Sequence, residues 1–303
     1  MTDRPIVTVV TPTLDMGEQL IGCIESVRAQ RYPHVEHIVL DACSTDGTVG
    51  LLEGQVGLMW RSEPDTGQSN AINKGFEMAT GSILTWLNAD DRLAPGAIEA
   101  VVAAFEADPA LGWVYGDLEM VSADGRWVYR PPSSVDGTTF RRGNVLPQPG
   151  AFFTAAALET AGGIDENFNL TMDFELWLRF VSTGVRSRYL PIVLASFFVH
   201  PGSKTGSQGA LAFAQEEARA YRKHGQPHRA AMAIDRWHWD DVVRRVLSLL
   251  DERRFSDARR AARRELAEAP FALDRPRLFL LLVRLAPRVA TRAVPFKRNR
   301  APA

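Results

Sequence analysis

A chain of 303 residues, 46% hydrophobic and 23% charged, can bury one large core and still carry an appendage, which excludes wholesale disorder. Its formal net charge of -1 hides two segments of opposite sign: residues 251–303 hold fourteen Arg/Lys against six Asp/Glu, while the rest holds 21 against 30. Two cysteines, Cys23 and Cys43, exclude a disulfide framework and match no zinc spacing, so structural thiols in a reducing compartment are expected. The opening MTDRPIVTVV lacks a basic region followed by a long apolar one, and no run approaches the roughly 18 apolar residues of a membrane span. The longest such run, Leu278–Val283, stops at Arg284. The expectation is a cytoplasmic protein that touches at most the inner face of a membrane.

Short β-branched runs alternate with amphipathic helical runs through the first half, the pattern of an α/β domain. Strands are predicted at Ile6–Thr11, Val35–Leu40, Val56–Arg61 and Ser82–Leu87. A helix follows the first strand, with Asp15 as its cap and Glu18 three residues on, a capping-box spacing. Ser44–Gly47 makes a turn and the start of a second helix, a third spans Gln68–Ala79, and a fourth starts at Pro95 before a strand at Trp113–Tyr115. Residues 117–150 are less regular and read as short strands and a mobile loop. Ala151–Thr154 reads as a strand, Asp173–Ser182 as a helix, and Arg188–Val199 as a strand pair or one bent strand. After Gly206 the texture becomes purely helical and rich in Ala, Arg and Leu, which places a boundary near 205–225 and divides the chain into 1–205 and 206–303.

The carboxylates fall at telling positions. Asp41 and Asp90 each follow the carboxyl end of a predicted buried strand, where open α/β sheets bind ligands. Asn88-Ala89-Asp90-Asp91 puts oxygen-bearing side chains on a strand-to-loop turn, a donor set suited to Mg²⁺ or Mn²⁺ shared with substrate phosphates. The structural alternative is that Asp91 only caps the turn. Asp173 opens a helix, so it is either a dipole-stabilised cap or a general base. His200, at a strand end before Pro201-Gly202-Ser203-Lys204-Thr205, could complete a metal shell, with Lys204 on phosphate oxygens, or be structural.

Together these pieces resemble glycosyltransferase family 2, enzymes of the GT-A fold, over roughly residues 5–205. The blocks that carry the resemblance are Val7–Thr13, Cys23–Val27 with Gln30, His37–Asp41 with Ser44–Thr48, Ser62–Gly75, Trp86–Asp91 and Met172–Arg179, in that order. The resemblance implies a Rossmann-like nucleotide-binding mixed sheet flanked by helices, with a C-terminal helical extension. It implies that Thr11, Pro12 and Thr13 line the nucleotide pocket and that Asp41 accepts a hydrogen bond from the base, a role suited to uracil N3–H. Asp65 and Lys74 are then near the nucleotide or ribose. Asp90 is the main metal ligand, with Asp91 beside it near the sugar and His200 as a metal or diphosphate contact; Asn88 and Lys204 also face the donor. Asp173 becomes the base of an inverting displacement. Two positions depart from the family pattern: Asn88 stands where the metal motif often begins with Asp, and Met172 where an acid often precedes the base.

The implied substrates are a nucleotide-sugar donor, UDP-sugar favoured, and a saccharide or lipid-linked acceptor in surface polysaccharide or glycolipid assembly. The implied cofactor is a divalent cation, Mn²⁺ or Mg²⁺. A sugar nucleotidyltransferase would need a Gly-rich basic loop after the first strand, but Thr11–Met16 contains neither glycine nor a basic residue. A catalytically inactive nucleotide- or carbohydrate-binding module is the other alternative. The Arg pairs from Arg244-Arg245 to Arg263-Arg264, with the apolar residues 279–285, read either as a helical bundle packed on the catalytic domain or as a surface for an anionic membrane. No nucleic-acid-binding module accompanies that charge.

Overall fold

The structure, a computed structural model, describes residues 4–200, 202–204 and 210–233, with scattered positions from 248 to 260. Four strands, β1 (Val7–Thr13), β2 (Val35–Asp41), β3 (Met59–Ser62) and β4 (Ile83–Trp86), run parallel. The helices between them are α1 (Gly17–Arg28), α2 (Thr48–Glu53) and α3 (Gln68–Met78). Then come β5 (Arg92–Leu93), α4 (Ala97–Ala107), β6 (Trp113–Ser122), β7 (Gly125–Tyr129), β8 (Ala151–Thr154), α5 (Ala155–Ala161), α6 (Met172–Ser182), β9 (Ser187–Phe198) and α7 (Ala210–Lys223). One mixed sheet has the order β3-β2-β1-β4-β8-β6-β9-β5, with β7 paired to β6 alone. β8 is antiparallel to both β4 and β6.

The central strands are apolar on both faces because helices cover both. Val7, Val9, Val39, Ile83, Val114 and Phe152 face the side of α1 and α4. Val10, Ile38, Leu40, Leu84, Trp113 and Phe153 alternate with them and face α3, α5 and α6. Trp177 of α6 stacks between Trp113, 4.9 Å away, and Trp86, 6.2 Å away. α3 lies so close to β1 that a Cβ at Gly75 would sit 2.3 Å from Val10. Ala214, Ala218, Ala220 and Tyr221 of α7 are buried, and Tyr221 and both later alanines join the core of α6. The change of sequence texture near 205–225 therefore does not coincide with an edge of the core.

Several predicted elements shift. β3 starts at Met59, because Val56 is exposed and pairs with nothing in the sheet. β6 continues to Ser122 and turns through Ala123-Asp124 into β7, giving order to a stretch that reads as irregular. β9 is one strand of twelve residues, bent where its register against β6 shifts around Asp117. Asp15 does not cap α1: it has φ of 50° and its Oδ1 accepts the Thr45 N–H at 2.7 Å. The Gly17 N–H at the start of α1 goes instead to Asp46 Oδ2 at 3.1 Å, because the loop after β2 folds across the loop after β1. Among the described residues no helix is long and apolar enough to cross a membrane. Pro201, Thr205 and nearly all of the basic stretch after residue 233 lie outside the described residues.

Candidate active site

A cavity of about 510 Å³ opens beyond the carboxyl ends of β1, β2 and β4, the place where an open α/β sheet binds ligands. Its walls come from Pro12–Leu14 and Met16, Ala42, Asp65–Gln68, Asn88–Asp90, Asn169, Phe197 and Gly202–Lys204. A larger cavity of about 630 Å³, between residues 133–137 and 184–189, holds none of the expected site residues. Of those residues, Pro12, Thr13, Asn88, Asp65, Asp90 and Lys204 line the smaller one.

On the wall, Thr13, the last residue of β1, is the direct sheet partner of Asp41, the last residue of β2, which is buried and does not itself line the cavity. Asp41 Oδ2 accepts from Ser62 Oγ at 2.6 Å and from the Ser44 N–H at 3.1 Å. Asp41 Oδ1 and Thr13 Oγ1 are buried and have no hydrogen-bond partner among the described residues. Orphaned buried polar atoms are costly; Glu99 Oε2, Trp113 Nε1 and Gln148 Oε1 share that state elsewhere, and what sets this pair apart is its place on adjoining strand ends. Thr11 is not part of this place. Its hydroxyl points into the core, 3.0 Å from His37 Nε2 and 3.5 Å from Cys23 Sγ. Burial lowers His37 to about 4 and pushes the Cys23 thiol up to about 12, which leaves a neutral, inert cluster under the strand. Position along the strand explains the miss: Thr11 and Thr13 share a face of β1, but only Thr13, the last residue, reaches the cavity.

The turn after β4 divides its carboxylates. Asp90 is on the cavity wall with Oδ2 3.1 Å from His200 Nε2. Asp91 is fully buried: Oδ1 accepts the Phe198 N–H at 3.1 Å and Oδ2 accepts from Asn88 Nδ2 at 3.1 Å. Burial and the adjacent Asp90 push the Asp91 carboxyl well above the usual carboxylate range. Asp91 thus ties the turn to the end of β9 and does not line the cavity. Asn88 lines the cavity and receives 2.7 Å from Gln68 Nε2 on its oxygen. An aspartate at 88 could not donate to Asp91, so the amide that departs from the family pattern completes this turn.

Asp65 lines the opposite wall and accepts the Gly67 N–H at 2.8 Å. Lys74 is absent from the wall. Its ammonium binds Glu63 at 2.8 Å and the Pro64 carbonyl at 2.9 Å, bracing the loop that presents Asp65. Lys204 is at the mouth, donating to the Asn169 carbonyl at 2.8 Å. Pro12 is on the wall as expected.

Asp173 stands in the first turn of α6, away from the cavity lining. The cap position belongs to Thr171, whose side chain makes no capping bond. Asp173 Oδ1 accepts the Phe174 N–H at 2.8 Å, and Oδ2 accepts from Asn144 at 2.6 Å. Desolvation, reinforced by the Glu217 carboxylate, outweighs those bonds and pushes Asp173 up to about 6. Met172, the second departure, is buried in the core, where a carboxylate would lack a partner.

Asp90 and His200 fit a divalent cation as a partial shell, one carboxylate oxygen and one imidazole nitrogen. No group of three His, Cys, Asp or Glu converges among the described residues, so the rest of such a shell has to come from a ligand and water. Gln68, Asn144, Asn169, Phe197 and Glu217 escape the sequence reading. Gln68 opens α3 inside a quoted block and was the most legible of them; the others lie in the loops, strand end and C-terminal helix that tertiary contacts bring to the site.

A family model described as glycosyl transferase family 2 matches residues 8–156. The glycosyltransferase Rv1514c of Mycobacterium tuberculosis, whose name calls it uncharacterized, is 34% identical over 186 residues, 59% of this chain and 70% of that one. The PGL/p-HBAD biosynthesis glycosyltransferase Rv2957 of the same organism is 30% identical over 201 residues, 64% of this chain and 77% of that one. Among solved structures, S. aureus TarS 1-349 in complex with UDP-GlcNAc aligns at TM-score 0.59 and 16% identity, covering 77% of this chain and 71% of that one. The mannosyltransferase PcManGT of Pyrobaculum calidifontis, in complex with GDP-Man and Mn²⁺, aligns at TM-score 0.59 and 19% identity, covering 96% and 83%. At such identities the two structures show a shared fold.

Proposed function

The chain belongs to glycosyltransferase family 2 and has the GT-A fold, and from that premise we propose that it moves a sugar from a UDP-sugar to an acceptor hydroxyl with inversion. One observation carries the donor reading: Asp41 Oδ1 and Thr13 Oγ1, on paired residues at the ends of β2 and β1, are buried with no hydrogen-bond partner among the described residues, and Thr13 lines the cavity. A pyrimidine such as uracil offers N3–H to the carboxylate. Asp65 closes the ribose side, and Asp90 and His200 are the residues that would hold a divalent cation. When bound, the cation offsets the charge that develops on the departing diphosphate.

Asp173 takes the proton from the acceptor hydroxyl as its oxygen attacks the anomeric carbon from the face opposite the diphosphate. The carbon–oxygen bond to the diphosphate breaks, and the nucleoside diphosphate leaves. A carboxyl pushed up to about 6 is a better proton acceptor near neutrality than an ordinary aspartate, while still ionised. Asn144 and the Phe174 N–H fix its orientation. A saccharide or lipid-linked acceptor, in surface polysaccharide or glycolipid assembly at the cytoplasmic face of a membrane, is supported by the names of the 30%-identical relatives and by the basic residues of 251–303. In this reading 1–205 is the core of the catalytic domain and 206–303 its helical extension.

The test is nucleoside-diphosphate release from UDP-, GDP- and dTDP-sugars with Mn²⁺, using EDTA and the Asp90→Ala variant as controls. Release from a UDP-sugar is expected, abolished by EDTA and by Asp90→Ala. An Asp41→Asn variant should weaken UDP binding about tenfold or more, since its amide would donate toward a ring N–H. Turnover by Asp90→Ala at the wild-type rate would remove the metal role, and binding without turnover of any donor would favour an inactive module.

A further inference from the structure

The loop between α5 and α6 carries Asn169 to the cavity wall and delivers Asp173 at the head of α6, yet Thr171 gives that helix no side-chain cap. A carboxylate from α7 fills the gap. Glu216 accepts the N–H groups of Asn169 at 3.1 Å, Leu170 at 2.8 Å and Thr171 at 3.0 Å, and lies 3.3 Å from the Thr171 hydroxyl. Three successive N–H groups at the positive end of a helix form an anion nest, and here the anion is part of the chain. Arg219, 3.7 Å from Glu216, braces it from the next turn and lies over the Phe168 ring.

From that nest the contacts run directly into the cavity. The Asn169 carbonyl receives Lys204 at 2.8 Å, and its side-chain Oδ1 lies so near Gly67 that a Cβ there would approach to 2.9 Å. The next residue of α7, Glu217, is buried and accepts the Asn144 N–H at 3.4 Å, beside the amide that holds Asp173. Two adjacent glutamates thus reach both halves of the site from a helix beyond the 8–156 segment that the family model matches.

We propose that Glu216 is a positioning residue for the donor site, fixing the 169–171 loop so that Asn169 keeps its place on the donor wall and α6 presents Asp173. The proposal rests on the donor-site reading above. It makes the first helix of the C-terminal segment part of the catalytic unit rather than an appendage.

The test uses the full chain with Glu216→Ala, Glu216→Gln and, as a control, Glu175→Gln. The Glu175 side chain anchors the same helix through Lys223 and His224 but bonds neither residues 169–171 nor the cavity wall, and its backbone N–H bond to the Thr171 carbonyl is unaffected by the substitution. Thermal stability, UDP affinity by calorimetry, and donor KM and kcat are measured below every variant's melting temperature. Glu216→Ala should raise donor KM and weaken UDP binding roughly tenfold, the scale of a lost charge-assisted cluster. Glu216→Gln, keeping one acceptor oxygen, should fall between it and wild type. Glu175→Gln should lower stability with donor KM unchanged. Wild-type KM and kcat in Glu216→Ala, whatever its stability, would overturn the proposal, as would equal KM shifts in Glu175→Gln. A wild-type chain that binds no nucleotide would overturn the donor-site reading and this proposal together.

Discussion

Each acidic residue at the site is told apart by what surrounds it. Asp41 keeps one oxygen free, Asp90 faces the cavity, Asp91 spends both oxygens on the protein, and Asp173 is half-shielded and raised. In the proposed reaction Asp173 acts as the carboxylate, so kcat should fall as the pH drops through about 6 and level off above it. A pH–rate profile at saturating donor checks this, and a flat kcat across that range would exclude Asp173 as the base. Asp173→Asn should lower kcat by about 10²–10⁴ while leaving UDP affinity close to wild type. Sequence showed that these residues were acidic and near strand or helix ends; it did not show which oxygens were already used.

At the scale of elements, α6 and α7 are joined by a buried ionic cluster. Glu175 is fully buried, with Arg179 at 2.6 Å, Lys223 at 2.5 Å and His224 at 3.1 Å. Burial alone would raise its carboxyl, but hydrogen bonds from His224 and Lys223 and the Arg179 guanidinium bring it to about 2, below its ordinary 4.5. A folded-state value below the unfolded one stabilises the protein fully above about 4.5 and loses that contribution as pH falls toward 2. Acid unfolding monitored by circular dichroism should therefore begin later in wild type than in Glu175→Gln. At neutral pH that variant should lose about 1–3 kcal/mol, because it removes the buried carboxylate that Arg179, Lys223 and His224 share; denaturant titration measures it, and a loss within error would show the cluster to be incidental. The i,i+4 spacing of Glu175 and Arg179 is legible in sequence, but Lys223 and His224 are some fifty residues away and only packing brings them in.

Across the whole molecule, charge is distributed unevenly, with acidic residues around the sheet and a basic excess in 251–303. If that excess docks on lipid, the full chain should co-float with liposomes containing anionic phospholipid at low salt and release as ionic strength shortens the Debye length to a few ångströms. No co-flotation at low salt would leave the basic segment without a membrane role.

The order of strands and helices through β4, the mixed α/β class and the cleft at the strand ends were all readable from hydrophobic periodicity, since burial on both faces leaves continuous apolar strands. The blocks ending at Asp41, Asp90 and Asp173 were readable as well, because they occupy positions where elements end. What needed the tertiary structure was direction and company. Thr11 turned inward onto His37, Lys74 turned to Glu63, Asp91 went under β9, and the start of α1 was held by Asp46 rather than Asp15. Those outcomes depend on contacts between segments far apart in the chain, and a local pattern of residues carries no information about which distant backbone N–H or carboxylate will satisfy a polar group.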